Sequence, residues 1–331
     1  MVRVGIQDTV AEELLAAFPA GVQVVRLPRL PDRDYTVDFW VPPFNPKAVA
    51  TVLPHLKELK VVQSLMAGVD WLLPCLPPGL TVCDGRGIHD VPTSEWVLTA
   101  VLASLKRFPH YRDNQGCGEW RGQVAFGGGF RAHDEKPEAT SQTQSLQAGQ
   151  MIVLSDELYG KTVLIVGYGS VGAAIEARMK PFEVEVLRVA RNARDGVSSI
   201  ADLPHLLPLA DIVVLIVPLT PQTRGMFGAS LMARMKPQAL LVNAARGPVV
   251  LTDDLVAALR QGRIHAALDV TDPEPLPPDH PLWSAPNCLI TPHIGGSTAA
   301  FIGRAFALVS RQLYHYVNGK PLENVVGEAG Y

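Results

Sequence analysis

Short apolar segments alternate with amphipathic stretches along most of the chain. In the first third the apolar segments are VRVGIQ, VQVVRL, LKVVQSL and TVCDGRG, and TVAEELLAAF between the first two has helical spacing. A second series runs from KTVLIVGYG to NCLITPH, and several of its segments are near-continuous runs of Val, Leu and Ile. Such runs are typical of strands whose sheet is covered by helices on both faces. The pattern predicts an α/β fold with parallel sheets and crossover helices.

Two longer stretches predict helices, and one stretch predicts no regular structure. Apolar residues at helical spacing indicate a helix over 94–112, with Ser94 as its N-cap and Glu95 in its first turn. The same spacing indicates a second long helix over 298–317. Residues 122–150 have few branched apolar side chains and no periodicity. We expect a flexible surface insert there.

Length and charge narrow the kind of protein. With 331 residues the chain exceeds the roughly 250 to 300 residues at which one hydrophobic core stops growing, so two domains are expected. The net charge is -3, and no block of basic residues stands out, so neither nucleic acid nor an anionic membrane is an expected partner. A small-molecule substrate fits this composition better.

Cysteine spacing and the N-terminal sequence bear on compartment and metals. Cys75, Cys83, Cys117 and Cys288 have no CxxC spacing, so neither a disulfide framework nor a metal site is predicted. The N-terminal residues lack the pattern of a secretory signal, and no stretch has the length of a membrane span. We expect a cytoplasmic protein that binds no metal.

A glycine-rich loop joins a predicted strand to a predicted helix. KTVLIVGYGSVG places Gly167, Gly169 and Gly172 where a dinucleotide site needs a tight turn, a close approach to pyrophosphate, and packing of helix on strand. A glycine turn without a ligand is the alternative. A nucleophile elbow at Ser170 is excluded, because Tyr168 stands where that motif needs glycine. The candidate cofactor-binding residues of the loop are Gly167, Tyr168, Gly169, Ser170, Val171 and Gly172.

The segment after the next strand bears on which coenzyme binds. An NAD site would place an acidic residue about 20 residues after the glycines, to hold the ribose hydroxyls. The strand VEVLRVA is followed instead by Arg191, Asn192 and Arg194, with Asp195 further along. Because arginine suits a 2′-phosphate, we predict NADP(H), with NAD(H) as the alternative. A solvated basic loop that selects neither coenzyme is the other interpretation.

Three polar residues follow predicted strands at places suited to hydride transfer. Arg246 comes after the apolar segment ALLVNAA and could grip a carboxylate bidentately. Glu274 lies in the proline-rich loop DVTDPEPLPP, and His293 in TPHIGG follows the apolar run NCLI. His293 would protonate a carbonyl oxygen, and the charge of Glu274 would favour the protonated ring. Taken singly, they have plain alternatives: a surface arginine, an exposed carboxylate and a structural histidine.

The ordered set of motifs resembles a known family. GYGSVG, VNAARG, DVTDPEPL and HPLWSAPNCLITPHIGGST occur in the order found in D-isomer-specific 2-hydroxyacid dehydrogenases, and SLMAGVD and SEWVLTAVLASLKR fit as well. The resemblance covers nearly the whole chain. It implies two Rossmann-like doubly wound parallel-sheet domains with the active site in the cleft between them. The substrate domain would comprise 1–93 plus 298–331, and the nucleotide-binding domain 94–297.

The resemblance also implies roles for individual residues. It makes Arg246 the carboxylate anchor, Glu274 the partner of the histidine, and His293 the acid/base. It places Asp269 near the nicotinamide carboxamide, Pro218 in the cofactor site, and the backbone of Ala67, Gly68 and Val69 near the substrate carboxylate. Trp283 would line the pocket or reach across the interface of a homodimer, with an ordinary buried aromatic as the alternative.

The predicted function is therefore reduction of a small 2-oxo acid to a D-2-hydroxy acid with NADP(H), of the glyoxylate and hydroxypyruvate type. One alternative is an enzyme similar to D-3-phosphoglycerate dehydrogenase. The other is a dinucleotide-sensing binding protein of the same fold that has no turnover.

Overall fold

The N-terminal part of the chain forms a parallel sheet. The computed structural model describes residues 1–120 and 155–327, and the backbone alone at 144–146 and 150–152. Five strands pair in the order β2-β1-β4-β6-β7, all parallel, and β3 and β5 form a separate two-stranded parallel sheet. The strands are β1 (Val2–Gln7), β2 (Val22–Leu27), β3 (Tyr35–Thr36), β4 (Phe39–Trp40), β5 (Leu56–Lys57), β6 (Val61–Gln63) and β7 (Thr81–Cys83).

The helices of this part are short. Helix α1 (Pro46–Val52) is capped at its N-terminus by Asn45, whose side chain accepts a hydrogen bond from the Ala48 N–H at 3.0 Å. The helix predicted for TVAEELLAAF is wrong, since only a 3-10 turn over Glu12–Leu14 forms. The residue before that turn, Ala11, has no side-chain oxygen to cap it, so a longer helix has no favourable start there.

A pair of helices leads from the first sheet toward the second. Helix α2 (Asp90–Leu105) is followed by α3 (Phe108–Gly116), and the break falls at Arg107, whose φ is 56°. The single helix predicted over 94–112 is therefore wrong in both its start and its length. Ser94 is not the N-cap but a buried residue inside α2, because Pro92 is tolerated in a first turn and lets the helix begin earlier.

The second sheet has seven parallel strands. Their order is β12-β11-β10-β13-β14-β15-β16. The strand order therefore changes direction at β10, because β11 and β12 lie on one side of it and β13 to β16 on the other. After the antiparallel pair β8 (Gln144–Leu146) and β9 (Gln150–Ile152), the strands are β10 (Thr162–Val166), β11 (Glu185–Ala190), β12 (Ser198–Ser199), β13 (Ile212–Leu215), β14 (Leu240–Asn243), β15 (His265–Leu268) and β16 (Cys288–Ile290).

Helices cover both faces of this sheet and complete a doubly wound fold. They include α4 (Ser170–Met179), α5 (Leu203–Leu206), α6 (Ala229–Met232) and α7 (Thr252–Arg260). The interior strands β10, β13 and β14 are almost entirely buried, which explains their unbroken apolar sequences. The predicted α/β class with parallel sheets is confirmed. The insert predicted at 122–150 lies outside the described residues, apart from the backbone of β8 and of the first residue of β9.

The last helix returns to the first sheet. Helix α8 (Phe301–Val317) begins three residues later than predicted and buries Phe306, Val309 and Leu313 against Val4 and Phe39. Each fully buried side chain of this kind contributes roughly 1.5 to 3 kcal/mol, so the return of the chain is strongly favoured. By contrast, α2 packs its apolar residues on the second sheet. Among the described residues, no helix has the length and hydropathy needed to cross a membrane.

Candidate active site

The glycine loop after β10 has the shape of a phosphate-binding turn. Gly167 has φ 107°, and a Cβ there would lie 2.6 Å from the Ile216 carbonyl oxygen, so only glycine fits. Gly169 is the N-cap of α4, and nothing lies within 4 Å of the position its Cβ would take. The first N–H groups of α4 have no acceptors inside the helix and point toward this open space. The loop therefore fits a dinucleotide pyrophosphate.

The other loop residues are held by side-chain contacts. Gly172 packs closely on the Gly167 carbonyl, because a Cβ there would lie 3.2 Å from its oxygen. The Ser170 hydroxyl donates to Asp90 at 2.9 Å, which ties the loop to the first turn of α2. The Tyr168 hydroxyl donates to Glu176 at 2.6 Å. Val171 is partly buried in the first turn of α4.

Basic residues follow β11 as the sequence indicates. The strand ends at Ala190, so Arg191 and Asn192 come directly after it, and both are exposed. Arg194 turns back toward the glycine loop, where its guanidinium donates to the Tyr168 carbonyl and lies 6.0 Å from the centre of the Tyr168 ring. The structure thus brings Arg194 to the loop and leaves Arg191 exposed at the strand end.

The histidine and the glutamate meet although 19 positions separate them. Nδ1 of His293 lies 2.6 Å from Oε1 of Glu274, and each side chain is about 40% exposed. Since a carboxylate accepts, Nδ1 carries the proton of this hydrogen bond and Nε2 is left to face a ligand. Both residues follow the carboxyl ends of neighbouring strands, β15 and β16, which is where ligands bind in sheets of this kind.

Arg246 reaches across to the N-terminal part of the chain. The buried Asn243 side chain fixes the turn before it, accepting from the Ala245 N–H at 3.1 Å and donating to the Arg246 carbonyl at 3.2 Å. A Cβ on Gly68 would lie only 1.7 Å from Nη2 of Arg246, so the guanidinium lies directly over that residue. Nε of Arg246 lies 3.5 Å from Oδ1 of Asp70.

Hydrogen bonds from neighbouring residues hold the loop that Arg246 contacts. The Ser64 hydroxyl accepts from the Met66 N–H at 3.0 Å, and the Met66 carbonyl accepts from the Gly85 N–H at 2.9 Å. Ala67 is partly exposed, whereas the Val69 side chain is fully buried in the core. Arg246 and the loop that contains Ala67, Gly68 and Val69 therefore face each other.

Asp269 supports the loop that carries the histidine. Its Oδ1 accepts from the Ile294 N–H at 2.9 Å, its Oδ2 accepts from the Gly295 N–H at 2.8 Å, and its carbonyl accepts from the His293 N–H at 2.7 Å. The same side chain accepts from the Thr291 hydroxyl at 2.7 Å. In this structure Asp269 therefore positions the loop, a role that sequence reasoning missed.

Two predicted residues lie in loops near these strand ends. Pro218 follows β13, and its carbonyl accepts a hydrogen bond from the Thr223 hydroxyl at 2.6 Å. Trp283 is not an ordinary buried aromatic, because it is 53% exposed. Its indole N–H donates to the Pro277 carbonyl at 2.7 Å, in the segment that follows Glu274.

Comparison with known proteins agrees with this geometry. A sequence model described as D-isomer specific 2-hydroxyacid dehydrogenase, NAD binding domain, matches residues 98–295. The chain belongs to this family. As a D-isomer specific 2-hydroxyacid dehydrogenase, it is an oxidoreductase that uses a nicotinamide dinucleotide, in agreement with the fit of the glycine loop.

Individual relatives cover different shares of the chain. The glyoxylate reductase/hydroxypyruvate reductase of Homo sapiens is 32% identical over 283 residues, which are 80% of this chain and 76% of that protein. An uncharacterised Corynebacterium melassecola protein is 40% identical over 178 residues, or 52% of this chain and 59% of that protein. The solved NADPH-dependent glyoxylate/hydroxypyruvate reductase of Sinorhizobium meliloti, in complex with NADP and sulfate, has a TM-score of 0.78 at 27% identity, and 100% of both chains is covered.

In this 2-hydroxyacid dehydrogenase a second histidine, His89, lies beside the loop of His293. Sequence reasoning missed this residue. A Cβ on Gly296 would lie 2.7 Å from Cδ2 of His89, so the His89 ring packs on the loop that carries His293. Its other neighbour is the Phe301 ring, with 5.1 Å between ring centres. Burial, together with the positive charges of Arg246, Arg304 and His293, lowers the pKa of His89 to about 4. The ring is therefore neutral at neutral pH.

Sequence signals for the missed residues were weak. Asp70 lies within the stretch SLMAGVD, where its charge stands alone among small and apolar neighbours. Burial raises the pKa of Asp90, the partner of Ser170, above its ordinary value. Neither aspartate has a partner nearby in sequence, because their contacts lie in Arg246 and Ser170.

Proposed function

We propose that this 2-hydroxyacid dehydrogenase reduces a small 2-oxo acid, of the glyoxylate and hydroxypyruvate type, to the D-2-hydroxy acid with NADPH as the favoured reductant. The observation that carries the proposal is the 2.6 Å contact between His293 and Glu274, at the same sheet edge as Arg246. These three side chains supply the proton and the carboxylate anchor that the reaction needs.

Arg246 and the loop beneath it are the proposed carboxylate site. The guanidinium lies over Gly68, so a substrate carboxylate beside this contact would reach both its N–H groups and the backbone of Ala67, Gly68 and Val69. Charge-assisted hydrogen bonds of this kind are about twice as strong as neutral ones. The neighbouring Asp70 holds the Nε edge of Arg246, which leaves Nη2 toward the loop.

His293 is the proposed acid/base. Because Nδ1 is engaged by Glu274, Nε2 gives its proton to the carbonyl oxygen during reduction and takes it back during oxidation. The carboxylate of Glu274 compensates the charge that the ring carries when it is protonated. The nicotinamide, when bound, supplies the hydride to the carbonyl carbon.

The coenzyme assignment depends on the segment after β11. Arg191 and Asn192 are the proposed 2′-phosphate contacts, since both are exposed at the strand end, and Arg194 is the proposed support for the glycine loop. The relative from Sinorhizobium meliloti is described as NADPH-dependent, which supports NADP(H) over NAD(H). We place Asp269 and Pro218 in the same cofactor site and Trp283 at the edge of the substrate pocket.

The domain division and the assembly are also proposals. The core shared by α8 and the first sheet supports a substrate domain of 1–93 plus 298–331, and the packing of α2 on the second sheet supports a nucleotide-binding domain over 94–297. A homodimer is proposed as well. Sedimentation equilibrium tests the dimer. The cytoplasmic location is a prediction that fractionation of cells tests.

The deciding experiment is a matrix of coenzymes against substrates. The purified chain is mixed with NADPH or NADH and with glyoxylate, hydroxypyruvate, pyruvate or 3-phosphohydroxypyruvate, and loss of nicotinamide absorbance is followed. We expect the fastest turnover with NADPH and glyoxylate or hydroxypyruvate. Fastest turnover of 3-phosphohydroxypyruvate would support the phosphoglycerate dehydrogenase alternative. Tight NADPH binding without turnover of any acid would contradict the enzyme assignment and support a dinucleotide sensor.

A further inference from the structure

The loop that carries His293 has little support from regular structure. It follows β16 directly, and Pro292 has no N–H with which to continue the strand pairing. His293 itself has φ 54°, a conformation that is unfavourable for a residue with a side chain. A conformation of this kind persists only when surrounding contacts hold it.

Asp269, the residue directly after β15, accepts backbone hydrogen bonds from His293, Ile294 and Gly295. Its carbonyl takes the N–H of His293, and its two carboxylate oxygens take the N–H groups of Ile294 and Gly295. The carboxylate of Asp269 therefore holds the two residues that directly follow His293. Because Asp269 is 5% exposed, its orientation depends on other protein groups rather than on bulk water.

Trp96 is linked to this carboxylate by two successive hydrogen bonds, through the Thr291 hydroxyl. Its indole N–H donates to the Thr291 hydroxyl at 3.0 Å, and that hydroxyl donates to Oδ1 of Asp269 at 2.7 Å. An indole nitrogen can only donate. The Thr291 oxygen must therefore accept from Trp96, and its own proton is directed to Asp269. The chain of donors runs in one direction, from α2 to the carboxylate.

The Trp96 ring also limits how far the loop can move. A Cβ on Gly295 would lie 3.3 Å from Cγ of Trp96 and 2.7 Å from Oδ2 of Asp269. The loop backbone at Gly295 is therefore packed against both the indole ring and the carboxylate. Trp96 therefore contacts both ends of the segment 291–295, since it donates a hydrogen bond to Thr291 and packs against Gly295.

We propose that Trp96 is a positioning residue for the acid/base histidine, acting through the Thr291 hydroxyl and the Asp269 carboxylate. This inference rests on the proposed function, in which His293 moves the proton. Its consequence is that α2 carries part of the active-site geometry although it contributes no group to the reaction. Since the His293 to Glu274 distance is 2.6 Å, a displacement of the loop by about 1 Å is enough to break that hydrogen bond.

The test is the substitution Trp96→Phe, which keeps an aromatic ring and removes the N–H. We expect kcat with the best 2-oxo acid to fall about three- to tenfold, as expected for one lost hydrogen bond, while KM values for acid and coenzyme stay within about twofold. The matched control is Trp120→Phe, which removes an indole that is 89% exposed. It should leave all three constants unchanged.

A second measurement does not depend on activity. Hydrogen exchange of the peptide over 290–297 reports whether the Ile294 and Gly295 N–H groups remain protected. We expect exchange to become at least about fivefold faster in Trp96→Phe and to stay unchanged in Trp120→Phe. A purely structural role for Trp96 would lower the melting temperature without a selective change in this peptide.

A pair of variants covers the case in which Trp96→Phe fails to fold. Thr291→Val removes the hydroxyl at nearly constant volume and should reduce kcat and the protection of the peptide, whereas Thr291→Ser keeps the hydroxyl and should retain both. Adding Trp96→Phe to Thr291→Val should cost little more, because both act through the same oxygen.

The outcomes separate the two proposals. If the unmodified chain reduces no 2-oxo acid, the proposed function fails, and the exchange measurement still tests the positioning of the loop. If the chain is active and Trp96→Phe keeps both kcat and peptide protection, the positioning role is wrong. Equal effects of Thr291→Val and Thr291→Ser would also overturn it.

Discussion

The glycine loop after β10 and the histidine loop after β16 both follow strands of one parallel sheet, but they are held in different ways. The glycine loop is shaped by steric limits close in sequence: the φ of 107° at Gly167 and the tight packing of Gly172 on the Gly167 carbonyl. The histidine loop is shaped by polar side chains from elsewhere, of which Trp96 is 195 positions from its partner Thr291.

Because of this difference, one of the two loops can be recognised from the sequence and the other cannot. A loop shaped by its own glycines has a spacing that can be recognised, whereas a loop held by distant donors looks like ordinary coil. It also predicts different responses to substitution. Changes near the glycine loop should alter coenzyme binding, and changes near the histidine loop should alter the chemical step.

Replacing the histidine should have the largest effect. His293→Ala removes the group that gives the proton, so we expect kcat to fall by about a hundred- to ten-thousandfold while the Kd of NADPH stays unchanged. Steady-state kinetics and fluorescence titration of NADPH measure the two quantities. The control is His110→Ala, an exposed histidine of α3, which should change neither. Equal activity of His293→Ala and the unmodified chain would remove His293 from the mechanism.

Replacing the carboxylate anchor should have the next largest effect, on KM. Arg246→Lys keeps the charge and loses the planar fork over Gly68, so we expect KM for the 2-oxo acid to rise about ten- to hundredfold. The Kd of NADPH should stay within about twofold, because the lysine does not touch the glycine loop. Initial rates over a range of acid concentrations give KM. If KM is unchanged, Arg246 belongs to the surface rather than to the substrate site.

The comparison also explains which sequence predictions hold. The parallel sheets and the glycine turn could be predicted because apolar runs and glycine spacing are local consequences of burial and of allowed φ values. The sequence predicts the start of α2 four residues too late because Ser94 resembles a cap, while Pro92 is compatible with the first turn that the structure shows. A residue that could cap a helix does not by itself reveal which of two possible helix starts buries more surface.

The residues of the candidate site likewise divide into those that the sequence predicts and those that it does not. His293, Glu274 and Arg246 could be proposed together because each follows a recognisable strand, and the 2.6 Å contact joins the first two as expected. His89 and Trp96 could not, since their partners come from the far end of the chain. Their contacts exist only after two sheets and the connecting helix α2 have packed.

Substitution near the glycine loop should separate the two coenzymes. Arg191→Ala removes the proposed 2′-phosphate contact, so we expect KM for NADPH to rise about tenfold and KM for NADH to change little. Arg194→Ala is the matched variant, because it removes the bond to the Tyr168 carbonyl and should weaken both coenzymes alike. Equal penalties for NADPH and NADH in Arg191→Ala would contradict the phosphate assignment.

The last expected effect concerns stability rather than catalysis, and it sets His89 apart from His293. Burial and nearby positive charge lower the pKa of His89 to about 4 in the folded chain, against an ordinary value near 6.5. Above pH 6.5 the ring is neutral in both folded and unfolded chains. As pH falls from about 6.5 toward 4, His89 takes up a proton in the unfolded chain but not in the folded chain. The free energy of unfolding therefore falls with pH within that window.

His89→Phe removes the proton while keeping an aromatic ring against Phe301, so its stability should depend less on pH. We expect the free energy of unfolding of the unmodified chain to drop between pH 7.5 and pH 4.5 by on the order of 2 kcal/mol more than that of the variant. Urea unfolding at both pH values measures the difference, and His110→Phe, at an exposed position, should behave like the unmodified chain. The same drop in His89→Phe would show that the pKa of His89 is equal in the folded and unfolded chains, which burial of the ring against the loop of His293 should prevent.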